Sequence, residues 1–230
     1  MSGNTACVIG ASISGMLIGK LLAHKYNKVY IVEKRDEGFE KDVAHASHVH
    51  ILLHKGLSEL ELLLPGITDD LIDAGGIKSN STKNWISYFP FGSFPDYVSK
   101  LDIVCLSRSL LENIIRQRIL GEESNIAIVN SATVTQYELS SVNNPKISYV
   151  TDTRHTLEVD LLVDASGQHS RADKYLLDSG FGQVEVETID PKLGYASRRY
   201  NNIPFETDKH GMLVMPKDPT TPRGGVIFPV

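Results

Sequence analysis

Two apolar runs separated by a longer helical stretch open the chain. They predict three elements in order: strand 5–10, helix 14–26 and strand 28–33. The turn after the first strand contains Gly10, Ser12 and Gly15, and Glu33 closes the second strand. This order, with small residues in the first turn, is typical of a dinucleotide-binding βαβ unit.

A stripe of leucines marks the next helix: Leu53, Leu57, Leu60 and Leu64. Their helical spacing predicts one apolar face, and Pro65 ends the helix. The pattern then predicts a short helix at 69–74, a strand at 85–89, an aromatic-rich loop at 89–97 and a strand at 103–106. Ser109 and Glu112 have the spacing of a capping box for a helix that ends at Gly121.

The rest of the chain is predicted to be rich in strands: 126–130, 132–139, 146–150, 157–164, 194–200, 211–215 and 225–230. Turns link three successive strands of the middle group. We therefore expect a three-stranded antiparallel meander inserted between parallel strands, in an α/β fold. The last three strands predict the opening of a second antiparallel sheet.

Composition narrows the class of protein. A chain of 230 residues with 41% hydrophobic residues can form one domain, or one domain and part of another. No apolar run reaches the about 18 to 20 residues of a membrane span, and no charged leader precedes the first strand, so we expect a cytoplasmic protein without a membrane partner. A net charge of -5 without a basic cluster argues against nucleic acid. Cys7 and Cys105 lie in apolar runs and are expected to be buried, reduced thiols.

The first turn has the composition that a pyrophosphate needs. Small residues let a phosphate approach backbone N–H groups at the positive end of a helix. Ser12 stands where the usual pattern has its second glycine, and its hydroxyl can itself donate to a phosphate oxygen. Glu33 follows at about the interval at which a carboxylate accepts both ribose hydroxyls, which favours FAD or NAD over NADP. A strand–turn–helix unit that binds nothing is the alternative.

A second strand also ends in small residues. The run from Asp160 to Asp164 is apolar between its acidic ends, and Ala165, Ser166 and Gly167 follow it. Small side chains let the backbone pass close to a flat or charged group, although a plain strand-to-helix turn requires the same residues. Both strand ends belong at the carboxyl edge of one parallel sheet, where open α/β folds bind ligands, and this favours the binding interpretation.

These motifs together resemble a known family. The segments that carry the resemblance are 8–15, 33–35, 47–56, 106–112 and 163–167. They are similar to FAD-dependent monooxygenases and oxidoreductases related to the aromatic hydroxylases, and more weakly to flavin halogenases and geranylgeranyl reductases. The resemblance implies a Rossmann-like FAD-binding domain at 1–182, with an excursion toward the substrate side at 85–100. Residues 183–230 would begin a β-rich substrate domain.

The resemblance also implies which residues hold FAD. Donors to the pyrophosphate would be Gly10, Ser12, Ile13, Ser14 and Gly15; the ribose and adenosine would meet Glu33, Lys34, Arg35 and the backbone of Val134; the remaining contacts would come from Arg108 and from the turn Ala165, Ser166 and Gly167. Apart from the resemblance, alternation in an extended segment places His48 and His50 on one face, where they would lie over the flavin ring or shuttle a proton. Capping of the following helix is the alternative role for His48, and no metal is expected.

The implied activity is hydroxylation of a small organic or aromatic substrate with FAD, NAD(P)H and O₂. Reduction or halogenation on the same scaffold, or a truncated flavin-binding module without activity, are the alternatives. Members of the family are longer and carry a later Gly-Asp motif that this sequence lacks. We therefore expect either a fragment of a longer enzyme or a truncated product that stabilises itself in another way, for example as a homodimer. No residue is assigned a catalytic role.

Overall fold

The computed structural model describes residues 3–36, 49–139, 144–201, 208–217 and 222–229. The chain forms two compact units, Met1–Asp42 with Ile115–Leu193 and Val43–Ile114 with Gly194–Val230. The helices are α1 Ile13–Ala23, α2 His54–Leu63, α3 Ile67–Asp73, α4 Arg108–Glu122 and α5 Ala172–Asp178. The strands are β1 Gly3–Ile9, β2 Tyr26–Val32, β3 Val49–Leu52, β4 Ile77–Asn80, β5 Trp85–Phe89, β6 Gly92–Ser93, β7 Asp102–Ser107, β8 Ile126–Val129, β9 Thr133–Glu138, β10 Lys146–Val150, β11 Arg154–Glu158, β12 Leu161–Asp164, β13 Gly211–Val214 and β14 Gly225–Ile227.

A parallel sheet organises the first unit. Its strand order is β12-β1-β2-β8, and every neighbouring pair runs parallel. Helix α1 connects β1 to β2 and packs closely on the sheet, because a Cβ on Gly19 would lie only 2.8 Å from Cδ1 of Ile31. Residues of β1 and β2 such as Val8 and Val29 are fully buried. The predicted α/β fold with a parallel sheet is confirmed.

The same unit contains the predicted antiparallel meander, with the order β11-β10-β9. The prediction of one strand over 157–164 is wrong, since this stretch divides between β11 in the meander and β12 in the parallel sheet. Asp160 explains the break. Its Oδ2 accepts hydrogen bonds of 2.8 Å from the N–H groups of both Asn4 and Thr5, so the chain crosses to the parallel sheet at this residue.

Two sheets form the second unit. An antiparallel sheet has the order β3-β7-β4, and a mixed sheet has the order β14-β13-β5-β6. Trp85, Ile103 and Cys105 form one buried apolar cluster of this unit. The C-terminal sheet is not wholly antiparallel as predicted, because β13 pairs in parallel with β5.

Two local predictions are wrong. Residues 194–200 form no strand, and Tyr195 there is 81% exposed, so the apolar pattern finds no partner strand in the described ranges. The capping box is misplaced, because α4 begins at Arg108 and the hydroxyl of Ser107 accepts the N–H of Leu110 at 3.2 Å.

Within the part of the chain that the structure describes, no helix is both long and apolar enough to cross a membrane.

Candidate functional site

Three loops meet at the carboxyl edge of the parallel sheet. Strands β12, β1 and β2 are neighbours, and Ile9 at the end of β1 pairs with Asp164 on one side and Val32 on the other. The loops that follow these strand ends therefore lie side by side. They are the glycine turn before α1, the segment that starts at Glu33 and the turn at 165–167.

Close backbone packing explains the two glycines of the first turn. Gly10 has a φ of 96°, and a Cβ on it would lie 2.8 Å from the carbonyl oxygen of Ala165. A Cβ on Gly15 would lie 1.8 Å from the carbonyl oxygen of Gly10. A side chain at either position would push the loops apart, so only glycine fits both.

Helix α1 presents its N-terminus at this edge. Ser12 is the N-cap residue in an extended conformation, and its side chain makes no capping hydrogen bond. The N–H groups of Ile13, Ser14 and Gly15 have no acceptor within the described residues, as is usual for the first turn of a helix. These groups and the helix dipole favour an anion here.

Glu33 is a buried carboxylate beside the glycine turn, and its side chain is only 4% exposed. Its Oε2 accepts the N–H of Ala11 at 2.7 Å, and its Oε1 accepts the N–H and the Nε of Arg35 at 3.0 and 3.1 Å. Burial by itself would raise the pKa of Glu33, but the hydrogen bonds from Arg35 and Ala11 together hold that pKa below its ordinary value. Glu33 is therefore ionised at neutral pH.

The loop after β8 supports Glu33 and Arg35, and no local sequence signal predicts this support. The N–H of Ser131 donates to the carbonyl of Arg35 at 2.9 Å, and the N–H of Ala132 donates to the carbonyl of Glu33 at 2.9 Å. Ser131 has a φ of 52°, which is rare for a residue other than glycine. The position of Ser131 after the fourth parallel strand could have indicated this role. Lys34 is exposed.

Asp164 holds the turn that follows β12. Its Oδ1 accepts the N–H of Ser166 at 2.9 Å and also the hydroxyl of Ser166. Its Oδ2 accepts the hydroxyls of Ser170 at 2.7 Å and Tyr137 at 3.2 Å. Burial raises the pKa of Asp164, but these hydrogen bonds outweigh burial and lower it. Gly167 takes a positive φ of 83° in the same turn. Sequence reasoning missed Tyr137 and Ser170, although a buried tyrosine hydroxyl requires a partner.

Three further predicted positions are His48, Arg108 and Val134, and their contacts with the cofactor stay predictions. His48 is outside the described residues. Arg108 begins α4 in the second unit, and its Nε donates to Oε1 of Glu112 at 3.0 Å. Val134 lies on β9 opposite Tyr149, and its side chain packs against the apolar core of the first unit. A backbone contact from Val134 to adenine stays a prediction.

A parallel sheet that carries this loop edge and an inserted antiparallel meander is the fold of the FAD-dependent monooxygenases. PqsL of Pseudomonas aeruginosa superposes with a TM-score of 0.64 and 15% identity, over 91% of this chain and 54% of PqsL. Aklavinone-11 hydroxylase, solved as a ternary complex with FAD and aklavinone, gives a TM-score of 0.55 and 17% identity, over 75% of this chain and 34% of the hydroxylase.

One curated relative is similar in sequence. Protein Rv3254 of Mycobacterium tuberculosis (strain ATCC 25618 / H37Rv) is 28% identical over 212 residues, which are 85% of this chain and 44% of that protein. No model of a known protein family matches the chain. The chain thus spans about half the length of these proteins or less, and the predicted resemblance is confirmed at the level of the fold.

Proposed function

We propose that the chain binds FAD at the loop edge of its parallel sheet, as part of a flavin-dependent monooxygenase that acts on a small organic or aromatic substrate with NAD(P)H and O₂. One observation carries the proposal. The ionised, buried carboxylate of Glu33 is hydrogen-bonded to the N–H of Ala11 inside the glycine turn, next to the N-terminus of α1. An anion site beside an acceptor for hydroxyl groups suits a pyrophosphate joined to a ribose.

The residues at this edge fit the ADP half of FAD. The N–H groups of Ile13, Ser14 and Gly15 would donate to the pyrophosphate, and the absence of a Cβ at Gly10 lets the two turns approach each other. Glu33 would accept from the ribose hydroxyls, and its negative charge disfavours a ribose that carries a 2′-phosphate. Bound FAD would supply the redox chemistry, taking electrons from NAD(P)H and passing them to O₂.

The proposed reaction class comes from similarity of fold. Aklavinone-11 hydroxylase has this fold and was solved with FAD and an organic substrate. A fold can host several chemistries. The hydroxylation, the nicotinamide donor and the substrate class are therefore proposed by analogy with proteins of the same fold.

A titration of the purified chain with FAD tests the cofactor site, with flavin fluorescence as the signal. We expect saturable binding, and we expect Glu33→Ala to weaken it by about tenfold or more, because the carboxylate holds the N–H of Ala11 in the glycine turn and a hydrogen bond to a charged group contributes about 1.5–3 kcal/mol. Glu158→Ala is the matched control, because Glu158 is an exposed glutamate on β11 of the same unit. A flat titration of the wild type would remove the proposal.

A further inference from the structure

Protein groups fill the hydrogen-bonding capacity of the Glu33 carboxylate. Four contacts reach it, from the N–H of Ala11, the N–H of Arg35, and the Nε and Nη2 atoms of Arg35. An ionised carboxylate offers about four lone-pair sites. A ribose that donates its hydroxyls to Glu33 must therefore replace contacts that already exist.

Two of the four contacts are fixed by the backbone. The turn at Ala11 follows Gly10, whose N–H donates to the carbonyl of Val32 at 2.8 Å. The backbone of Arg35 is held by the 2.9 Å hydrogen bond from Ser131. The guanidinium of Arg35 is different, because it stands at the end of a flexible side chain and its Nη2 contact is long at 3.4 Å. The guanidinium is the group that can yield.

We propose that the Arg35 guanidinium competes with the ribose hydroxyls for Glu33 and sets how much those hydroxyls contribute to affinity. This inference rests on the proposed FAD site. The Glu33 carboxylate is only 4% exposed, and two nitrogens of the Arg35 guanidinium already donate to its oxygens, so a ribose that donates to Glu33 must displace the guanidinium from these positions. The two hydrogen bonds gained from the ribose are then offset by two charge-assisted ones that are lost.

If the guanidinium competes in this way, affinity for the wild type should depend little on whether the ligand carries ribose hydroxyls. A ligand without ribose hydroxyls leaves the guanidinium in place. Its affinity for the wild type is therefore only slightly lower than that of a ligand with the hydroxyls. Without the guanidinium, each ribose hydroxyl would form a hydrogen bond to the charged carboxylate without displacing another group. Removal of the hydroxyls would then weaken binding by about tenfold or more. The ratio of dissociation constants for the two ligands therefore measures the competition.

ADP and 2′,3′-dideoxy-ADP are the probes, each measured by displacement of FAD from the chain. For the wild type we expect the dideoxy compound to bind less than about threefold more weakly than ADP. For Arg35→Met, which keeps much of the apolar stem, we expect a ratio of about tenfold or more. Arg154→Met is the matched control, because Arg154 is an exposed arginine on β11 of the same unit, and its ratio should equal that of the wild type.

Equal ratios for Arg35→Met and the wild type would overturn the inference. So would a wild-type ratio above about tenfold, which decides the question even if Arg35→Met does not fold. In both cases FAD binding itself would persist, and the proposed function would stand. A wild-type chain that binds neither FAD nor ADP would instead overturn the proposed site, and the inference with it.

Discussion

The Nζ atom of Lys20 lies 2.6 Å from Oε2 of Glu122, which joins the last turn of α1 to the end of α4. Lys20 is 7% exposed, and its Nζ also contacts Oε1 of Glu123 at 3.1 Å. The other end of α1 carries the first turn of the candidate site. This ion-pair cluster therefore holds the C-terminal end of α1 in place, while the N-terminus of the same helix faces the loops at the opposite edge of the sheet.

We expect Lys20→Met to lower the free energy of unfolding by about 1–3 kcal/mol. The substitution leaves two carboxylates without their shared cation, and partial exposure of Glu122 reduces the cost below that of a fully buried pair. Urea denaturation measures the change. Lys55→Met is the control, because the Lys55 pair with Glu59 is exposed and should change stability by less than about 1 kcal/mol. Equal losses in both variants would contradict this prediction.

Gly15→Ala should destabilise the protein and abolish FAD binding. The new Cβ would lie 1.8 Å from the carbonyl oxygen of Gly10, so the turn must move. Thermal unfolding and FAD titration measure the two effects. Gly121→Ala tests the same change in α4, where a Cβ meets no atom within 4 Å, and should raise stability by about 0.5–1 kcal/mol. Undiminished FAD binding by Gly15→Ala would show that the turn is not the site.

Asp164 should make stability depend on pH in acid. Its pKa is lower in the folded protein than in the unfolded chain, so its contribution is present above the ordinary value of about 3.9 and is lost as pH falls through the folded-state value. Asp164→Asn should be less stable than the wild type at pH 7, and the difference should shrink at pH 3. Melting temperatures at both pH values measure it. Asp152→Asn, at an exposed turn residue, should follow the wild type throughout. A difference that grows in acid would contradict the assignment.

Neither thiol should react in the native protein. Burial raises the pKa of Cys7 to about 12 and that of Cys105 to about 11, so the reactive thiolate is scarce at pH 8. Ellman's reagent should detect no thiol in the folded chain and both thiols in guanidinium chloride. Rapid labelling of the native chain would show that one of these strands opens readily.

Local patterns predicted the parts of the fold that depend on neighbours in sequence. The βαβ unit and the glycine turn follow from residues 5–33 alone, because strand, turn and helix signals lie next to one another. The division of 157–164 could not be predicted, since it depends on the contacts of Asp160 with Asn4 and Thr5 at the other end of the chain. The pattern at 194–200 failed for a related reason, because a strand requires a partner as well as a suitable sequence.

In the candidate site, too, the sequence predicted local features and missed contacts between distant segments. Glu33 was predictable because it closes a strand at a fixed interval from Gly10. The support from Ser131 and the anchoring of Asp164 by Tyr137 were not, because both contacts join segments that meet only when the sheets assemble. The hydrogen bonds between Arg35 and Glu33 are short-range, yet the sequence does not reveal that the carboxylate they reach is buried.

The position of β12 beside β1 has a consequence for synthesis. While the ribosome makes the chain, one edge of β1 has no partner until residues 161–164 emerge. At about 5–20 residues per second that interval lasts roughly eight to thirty seconds. An apolar strand left open for so long is a target for chaperones and for aggregation. Gly10 also packs against the carbonyl of Ala165, so the glycine turn cannot reach its final packing before residue 165 has left the ribosome.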